Sequence, residues 1–417
     1  MSDLRPAAGR ALPEAPGTEL LAPAGDMERL EAALRFGADA VYLGGPILQL
    51  RALSAGFSMD DLARAARRVH GAGKRLYVAV NAFPNNAEVA QVGDYAQALE
   101  GVGADAVIVA DLGAIAAIRR AAPGLAVHVS TQANCINYMA ARAYCDMGAT
   151  RVVLGREMRL EEIAELRAKT PPELELEAFV HGAMCMAWSG RCMISAYLAD
   201  RSANRGACAQ SCRWNYRLVE EKRPGEYFPV EEDARGTTIL SSFDLNCLGF
   251  LDAIMDAGVT SLKIEGRMKS AYYVATVVNA YRRRIDDILN GTATPERTAL
   301  LQRELNAASH RAYASGFYFG AMKKHAPDDG GYAQDCTFVG VVKAALPGGR
   351  IRVAQRNRIR RGDAIEVLSP HSLGLQFTAE NLADPSGTPL DEVSVPQTVF
   401  DMDAPGGVEA GDILRKR

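Results

Sequence analysis

Short runs of continuous apolar, β-branched residues recur along the first two-thirds of the chain, separated by longer amphipathic stretches. Eight such runs stand out: residues 19–25 (ELLAPAG), 40–45 (AVYLGG), 75–81 (RLYVAVN), 106–111 (AVIVAD), 126–132 (AVHVSTQ), 151–156 (RVVLGR), 175–182 (ELEAFVHG) and 261–266 (SLKIEG). A run that is apolar at successive positions, not at alternate ones, predicts a strand covered on both faces, as in a parallel sheet. The stretches between them carry helical spacing. Asp26 stands in a cap position before Met27, Leu30, Ala33 and Leu34, and Gly37 ends that helix. Gly-Ala-Asp-Ala occurs at 37–40 and again at 103–106, each time ahead of a strand. Met147-Gly148-Ala149 and Asp256-Ala-Gly-Val259 take the same place before the sixth and eighth strands. Repeated βα units with a glycine at each helix stop predict an α/β fold, a (β/α)8 TIM-barrel-like domain, over an open sheet.

The rhythm breaks between the seventh and eighth strands. About 80 residues separate them, where a βα unit needs roughly 30. This insertion, residues 183–250, leaves the carboxyl end of the seventh strand, the end at which such barrels carry their sites. Beyond the barrel, Lys269–Leu289 reads as one long helix and Asp328–Gly331 as a linker. Then the pattern changes to alternation: 336–343, 350–353, 363–368 and 393–400 read as short strands with turns at Pro347-Gly348-Gly349 and Gly406-Gly407. The expected organisation is a disordered leader at 1–17, a barrel domain at 18–325 and a small all-β barrel domain at 333–417.

Composition narrows the class. The 417 residues are 48% hydrophobic and 23% charged, as in ordinary globular proteins, with a formal net charge of −3. No apolar stretch is long enough to span a membrane, and the Pro- and Ala-rich start lacks a signal-peptide core, so a cytoplasmic protein is expected. The net charge argues against wholesale nucleic-acid binding. Local basic surface would be needed, and Arg282-Arg283-Arg284 and Arg356–Arg361 are candidates, set against a plain solvated face for each.

Cysteine carries the strongest chemical signal. Four of the eight cysteines fall in the insertion, spaced Cys185-x6-Cys192-x15-Cys208-x3-Cys212. In a reducing compartment such a group points to metal or redox chemistry before disulfides. Zinc ribbons favour two tight C-x2–4-C pairs, and only Cys208 and Cys212 come near that, so the spacing tilts toward an iron–sulfur cluster. Zinc, or four buried free thiols, stays open from spacing alone. Cys135, Cys145 and Cys336 read as small buried hydrophobes. Cys247 reads as structural, at a helix start.

Strand carboxyl ends should surround a pocket, which nominates Asn81, Asp111, Ser130, Gln132, Arg156, Glu157, His181, Lys263, Glu265 and Arg267. Arg156 and Arg267 could each clamp a carboxylate or phosphate through two parallel hydrogen bonds. His181, beside the Cys185 segment, is the leading acid/base candidate. Barrel-mouth ion pairing, for example Lys263 with Glu265, is the plain alternative. Arg213, Trp214, Tyr216 and Arg217 form an aromatic and basic run on which bases could stack, or Trp214 could simply pack.

The long motifs resemble peptidase family U32: Glu177-Ala-Phe-Val-His181-Gly-Ala-Met-Cys185 with Ser189-Gly-Arg-Cys192, then Asn204-Arg-Gly-Ala-Cys208-Ala-Gln-Ser-Cys212-Arg-Trp214, with Glu19–Gly25 and Lys263–Ser270 in support. The resemblance spans residues 19–417. It implies a 4Fe–4S cluster on Cys185, Cys192, Cys208 and Cys212, with Cys247 the rival for the fourth place. Of the strand-end residues, His181, Glu265, Arg267 and Arg156 are the catalytic candidates. The branch most similar in its Cys-Arg-Trp ending and tail domain acts on tRNA, converting wobble uridine to 5-hydroxyuridine without molecular oxygen and with prephenate as the hydroxyl source. The partners implied are tRNA, a small anionic co-substrate and a redox or partner protein. Two other classes are weighed beside it. One is a peptidase, as the family name says, although no His-Glu-x-x-His or Gly-x-Ser-x-Gly motif is present. The other is a non-catalytic iron–sulfur or tRNA-binding scaffold.

Overall fold

The computed structural model describes residues 17–50, 56–184, 194–199, 201, 208–211, 218–219, 227–228, 230–233, 236–239, 243–320 and 332–417. The chain divides into two compact units. One comprises Met1–Leu30, Ala38–Lys269 and Arg311–Tyr332; the other comprises Glu31–Gly37, Ser270–His310 and Ala333–Arg417.

The first unit holds the barrel. Its strands are β1 (Glu19–Pro23), β2 (Ala40–Gly44), β3 (Arg75–Val80), β4 (Ala106–Val109), β5 (Ala126–Val129), β6 (Arg151–Val153) and β7 (Glu175–Ala183). They pair in parallel in chain order, and the closing strand Ser261–Ile264 pairs in parallel with both β7 and β1. All eight expected strands form, and the sheet closes on itself. Burial explains the composition. Four of the five residues of β1 and all of β2 are apolar or glycine, and every residue of both is buried. Seven of the eight strands stop one to three residues before their apolar runs do, because the runs continue into loops at the barrel mouth; β7 instead runs one residue past its run, to Ala183. Local signals set the helices. Asp26 Oδ1 accepts the Arg29 amide at 2.9 Å ahead of the helix Met27–Arg35. Ser58 and Asp61 form a reciprocal capping box before the helix Met59–Gly71, as cap chemistry requires.

The sheet does not end with the barrel. The strand Asp244–Asn246 runs antiparallel to the end of β7, and Tyr313–Ala314 runs parallel to Asp244–Asn246. These two strands lengthen the sheet at the carboxyl end of β7. Among the described residues no helix is long and apolar enough to cross a membrane.

The second unit carries a six-stranded antiparallel sheet. Its order is Leu375–Thr378, Ala364–Leu368, Ile413–Lys416, Thr337–Leu346, Arg350–Gln355 and Val399–Asp403. Val339, Val353, Val367, Phe400, Met402 and Leu414 fill its apolar side. The long helix Ala271–Leu289 belongs to this unit, capped by Ser270, whose hydroxyl accepts the Tyr273 amide. Residues 1–16 of the expected leader 1–17, the linker 328–331 and about half of the Cys-rich insertion lie outside the described residues.

The basic triplet on that helix is not an open cationic face. Arg282 pairs with Asp286 at 2.7 Å, Arg284 is buried, and Arg283 donates to the carbonyls of Ser369, Pro370 and Ser372. Amphipathic spacing alone could not show that the neighbouring loop takes these groups. The turn Arg356–Arg361 stays on the surface, with Arg358 and Arg360 sharing Glu392 and Arg361 paired with Asp391.

Candidate functional site

The barrel interior is layered by charge. At the amino ends of the strands the guanidinium of Arg151, 1% exposed, meets Glu19 at 2.6 Å, Glu177 at 3.0 Å and Glu175 at 2.6 Å. Tyr77 donates to Glu19 at 2.6 Å and Ser261 donates to Glu19 at 2.8 Å. Burial alone would raise the Glu19 pKa; the Arg151 charge and these hydrogen bonds outweigh it and hold the carboxyl below its ordinary range. His128 sits beside this layer, and burial, then the charges of Arg151, Lys263 and Arg75, push its imidazole well below the ordinary histidine range. A cavity of about 130 Å³ opens here, lined by Arg75, Tyr77, His128, Arg151, Glu175 and others. This is the end of a (β/α)8 barrel that serves stability.

One step toward the carboxyl end, Lys263 Nζ pairs with Glu177 Oε1 at 2.6 Å and lies 4.5 Å from the centre of the Tyr42 ring. The expected pairing of Lys263 with Glu265 is therefore not the one formed. The closing strand ends at Ile264 with a register irregularity after Lys263, so Glu265 lies one layer further out, beyond the strand, and faces Arg156. The Tyr42 and Phe179 rings form the next layer. Above them Arg156 lies flat on the Phe179 ring, 3.8 Å from its centre, donates to the Ala183 carbonyl at 2.8 Å and stands 3.8 Å from Glu265 Oε2. Tyr42 Oη donates to the Ile264 carbonyl at 3.0 Å and reaches Glu265 Oε2 at 3.5 Å. Guanidinium, carboxylate and aromatic faces thus meet at the carboxyl end, where a planar or anionic ligand can be oriented.

His181 is 1% exposed and lies in the same rim. Its carbonyl accepts the Glu265 amide at 2.8 Å, which ties β7 to the closing loop. Gly182 makes this approach workable. Its φ is +107°, and a Cβ there would strike the Glu265 carbonyl. Arg267 is buried, its guanidinium against Gly44 and the Gln49 amide, so that a side chain on Gly44 would collide with both. Arg156, Glu265 and His181 come together at the mouth, Lys263 lies one layer below them on Glu177, and Arg267 closes the mouth on the β2 side.

Other nominated residues have structural work. Asp111 caps the helix Leu112–Ala121 by accepting the Ala114 amide at 2.8 Å. Ser130 caps the turn Thr131–Ala133. Asn81 accepts the Leu50 amide. Gln132 and Glu157 sit at the rim with partly covered side chains. Tyr42, Phe179 and Tyr313 had no separate signal. Tyr42 and Phe179 read as ordinary strand residues that closure of the barrel turns toward the mouth, while Tyr313 lies outside the predicted strands and is brought in by the sheet extension.

Of the four clustered cysteines, Cys208 is described; Cys185, Cys192 and Cys212 lie outside the described residues, as do Arg213, Trp214, Tyr216 and Arg217. The Cys208 sulfur accepts the Gln210 amide at 3.4 Å and lies 3.8 Å from the Ser195 hydroxyl. Gln210 itself adopts a left-handed φ of +56°. Donors aimed at sulfur suit a thiolate that ligates a metal centre. Among the described residues no three His, Cys, Asp or Glu side chains gather as a metal site. Cys247 is fully buried, and burial pushes its thiol pKa well above the ordinary range.

Residues 25–327 match the model of peptidase family U32, and residues 334–415 match the peptidase family U32 C-terminal domain. The chain is similar to tRNA hydroxylation protein P of Escherichia coli (strain K12), with 36% identity over 416 residues, covering 88% of this chain and 90% of that protein. It is 36% identical over 405 residues to tRNA hydroxylation protein P1 of Bacillus subtilis (strain 168), covering 95% of this chain and 94% of that protein. It is also similar to a protein named collagenase from Porphyromonas gingivalis (strain ATCC BAA-308 / W83), at 35% identity over 312 residues, covering 72% of this chain and 73% of that protein.

Proposed function

The chain belongs to peptidase family U32, and from that membership we propose that it is an RNA-modifying enzyme that hydroxylates a pyrimidine base. In its finer form the reading is conversion of the wobble uridine of tRNA to 5-hydroxyuridine, with prephenate as the co-substrate that supplies the hydroxyl group. A 4Fe–4S cluster held by Cys185, Cys192, Cys208 and Cys212 supplies one-electron redox chemistry when bound. No molecular oxygen is consumed: the base exchanges C5–H for C5–OH while the co-substrate exchanges C–OH for C–H, so the two-electron reduction of the co-substrate balances the oxidation of the base, and a redox or partner protein would serve only to set the oxidation state of the bound cluster. The reading places the protein in the cytoplasm. One observation carries it: the Arg156–Glu265 pair on the Phe179 ring, with His181 beside it, stands at the end of β7 from which the Cys-rich insertion departs.

The chain's own residues divide the remaining work. Arg156 orients the co-substrate carboxylate or the base edge by its planar donors. Glu265, supported by Tyr42, accepts the proton that leaves the base, and His181 is the second proton carrier. Arg267 fixes the loop that closes the mouth. Lys263 is held by Glu177 and sets the field beneath the aromatic layer.

Nucleoside analysis of tRNA from a strain lacking this chain tests the reading. Loss of 5-hydroxyuridine derivatives, restored by the wild-type chain, is the expected result. Unchanged wobble uridines reject tRNA as the substrate. The collagenase-named relative motivates one control. Purified protein that cleaves gelatin, and stops doing so after a single Cys→Ser change, would restore the peptidase reading. Cys247, which follows the strand paired with the end of β7, is fully buried, and burial holds its thiol pKa well above the ordinary range, which does not suit a nucleophile.

A further inference from the structure

We propose that the segment Arg311–Gly320 is a fixed wall of the site and that Tyr313 is a positioning residue for His181. The inference rests on the role given above to His181. The sheet extension creates the contact. Asp244 is the register partner of both Ala183 and Tyr313, and Asn246 is the partner of His181. Ala183 and His181 are two positions apart on β7, so their side chains leave the same face of the strand. Tyr313, two strands over, reaches His181 diagonally across that face. Their ring centres lie 5.5 Å apart with the planes at 55°, a tilted aromatic contact in the favourable range.

The segment is pinned at both ends. Arg311 donates its amide, Nε and Nη2 to the Asp244 carboxylate at 3.1, 3.1 and 2.8 Å, and both residues are buried. Seven residues on, Tyr318 Oη donates to the Phe179 carbonyl at 2.6 Å, and its own carbonyl accepts the Leu160 amide at 3.1 Å. Phe250 fits edge-on against both Tyr318 and Phe319. Tyr318 therefore bonds to the same residue whose ring carries Arg156. A wall bonded this way does not behave as a lid. Tyr313 between the anchors keeps one face of the His181 ring covered and its rotamer set. The charged groups on the packed elements are Asp244, its partner Arg311, Lys269, whose charge also acts on Asp244, and Glu265 on the loop bonded to His181. Burial, then Asp244, keeps the Tyr313 hydroxyl protonated, so the ring supplies the contact without adding charge.

The test compares the full chain with Tyr313→Phe and Tyr313→Leu, using carbethoxylation of His181 by diethyl pyrocarbonate, read by peptide mass spectrometry, and RNA hydroxylation kinetics. His181 should react about tenfold faster in Tyr313→Leu than in wild type, while Tyr313→Phe stays protected. Kinetically, Leu should lower kcat with KM little changed, and Phe should restore it. Equal His181 reactivity in Leu and wild type overturns the wall, as does a Phe variant that behaves like Leu. Should His128 also become reactive in Tyr313→Leu, that variant has unfolded, and Tyr313→Met takes its place. A wild-type chain that fails to hydroxylate RNA defeats the proposed function, yet the carbethoxylation comparison still decides the wall.

Discussion

Nη1 of Arg151 lies 2.6 Å from Oε1 of Glu19, joining β6 to β1 across the barrel interior. The same guanidinium also holds Glu175 and Glu177, so one cation meets two carboxylates of the neighbouring strand β7 and one of the distant strand β1. Removing it leaves buried charge without a partner. Arg151→Met should destabilise the first unit by about 3–5 kcal/mol. Adding Glu19→Gln should return part of that loss. Urea unfolding of the three chains measures it, and a single mutant within about 0.5 kcal/mol of wild type refutes the hub.

His128 predicts a pH dependence. Its folded pKa is depressed, because burial and three nearby cations oppose a further charge. Above the unfolded value of about 6.5 both states are neutral, and the group contributes nothing to the slope. Below it the unfolded chain takes a proton that the folded chain refuses. Stability should then fall by up to about 1.4 kcal/mol per pH unit from near pH 6.5 downward. Glu19 and Asp244, whose folded pKa values are also depressed, add their loss only at lower pH, below about 4.3. In His128→Gln the upper part of this slope should vanish. Unfolding midpoints at pH 7.5, 6 and 5 would show it, and identical slopes in both chains would exclude His128 as the cause.

Arg156 and Glu265 should act together. Arg156→Lys keeps the charge but loses the planar stack on Phe179 and the bond to the Ala183 carbonyl. It should lower kcat/KM for RNA hydroxylation by about 10- to 100-fold. Glu265→Gln should lower kcat by a similar factor, and the double mutant should be little worse than either single one. Losses that multiply would mean that the two side chains work independently.

Metal content tests the cysteine assignment. Anaerobically purified wild type should carry about four iron and four sulfide per chain, and Cys185→Ala, Cys192→Ala and Cys208→Ala should each lose them. Comparing Cys212→Ala with Cys247→Ala identifies the fourth ligand. Retention in Cys247→Ala with loss in Cys212→Ala supports Cys212; the opposite result transfers the role to the buried thiol. Iron-free wild type would remove the cluster from the reading.

Much of this architecture is local information. Eight apolar runs with glycine-terminated helices between them were enough to specify a closed parallel barrel, because strand and helix periods act over a few residues. Alternation likewise announced the all-β segment after residue 333. The motif residues His181 and Cys208 could be nominated from the sequence because each stands close in the chain to other residues of its motif.

The partners of those residues are a different kind of information. Arg151 and Glu19 are 132 positions apart, and Lys263 chose Glu177, 86 positions away, over its neighbour Glu265. The Tyr313 ring reaches His181 only because an antiparallel strand from the insertion is paired between their strands. Register and closure set such meetings, and both depend on how the whole sheet pairs. A chain read residue by residue therefore reveals which groups can do chemistry, while the folded sheet decides which of them face one another.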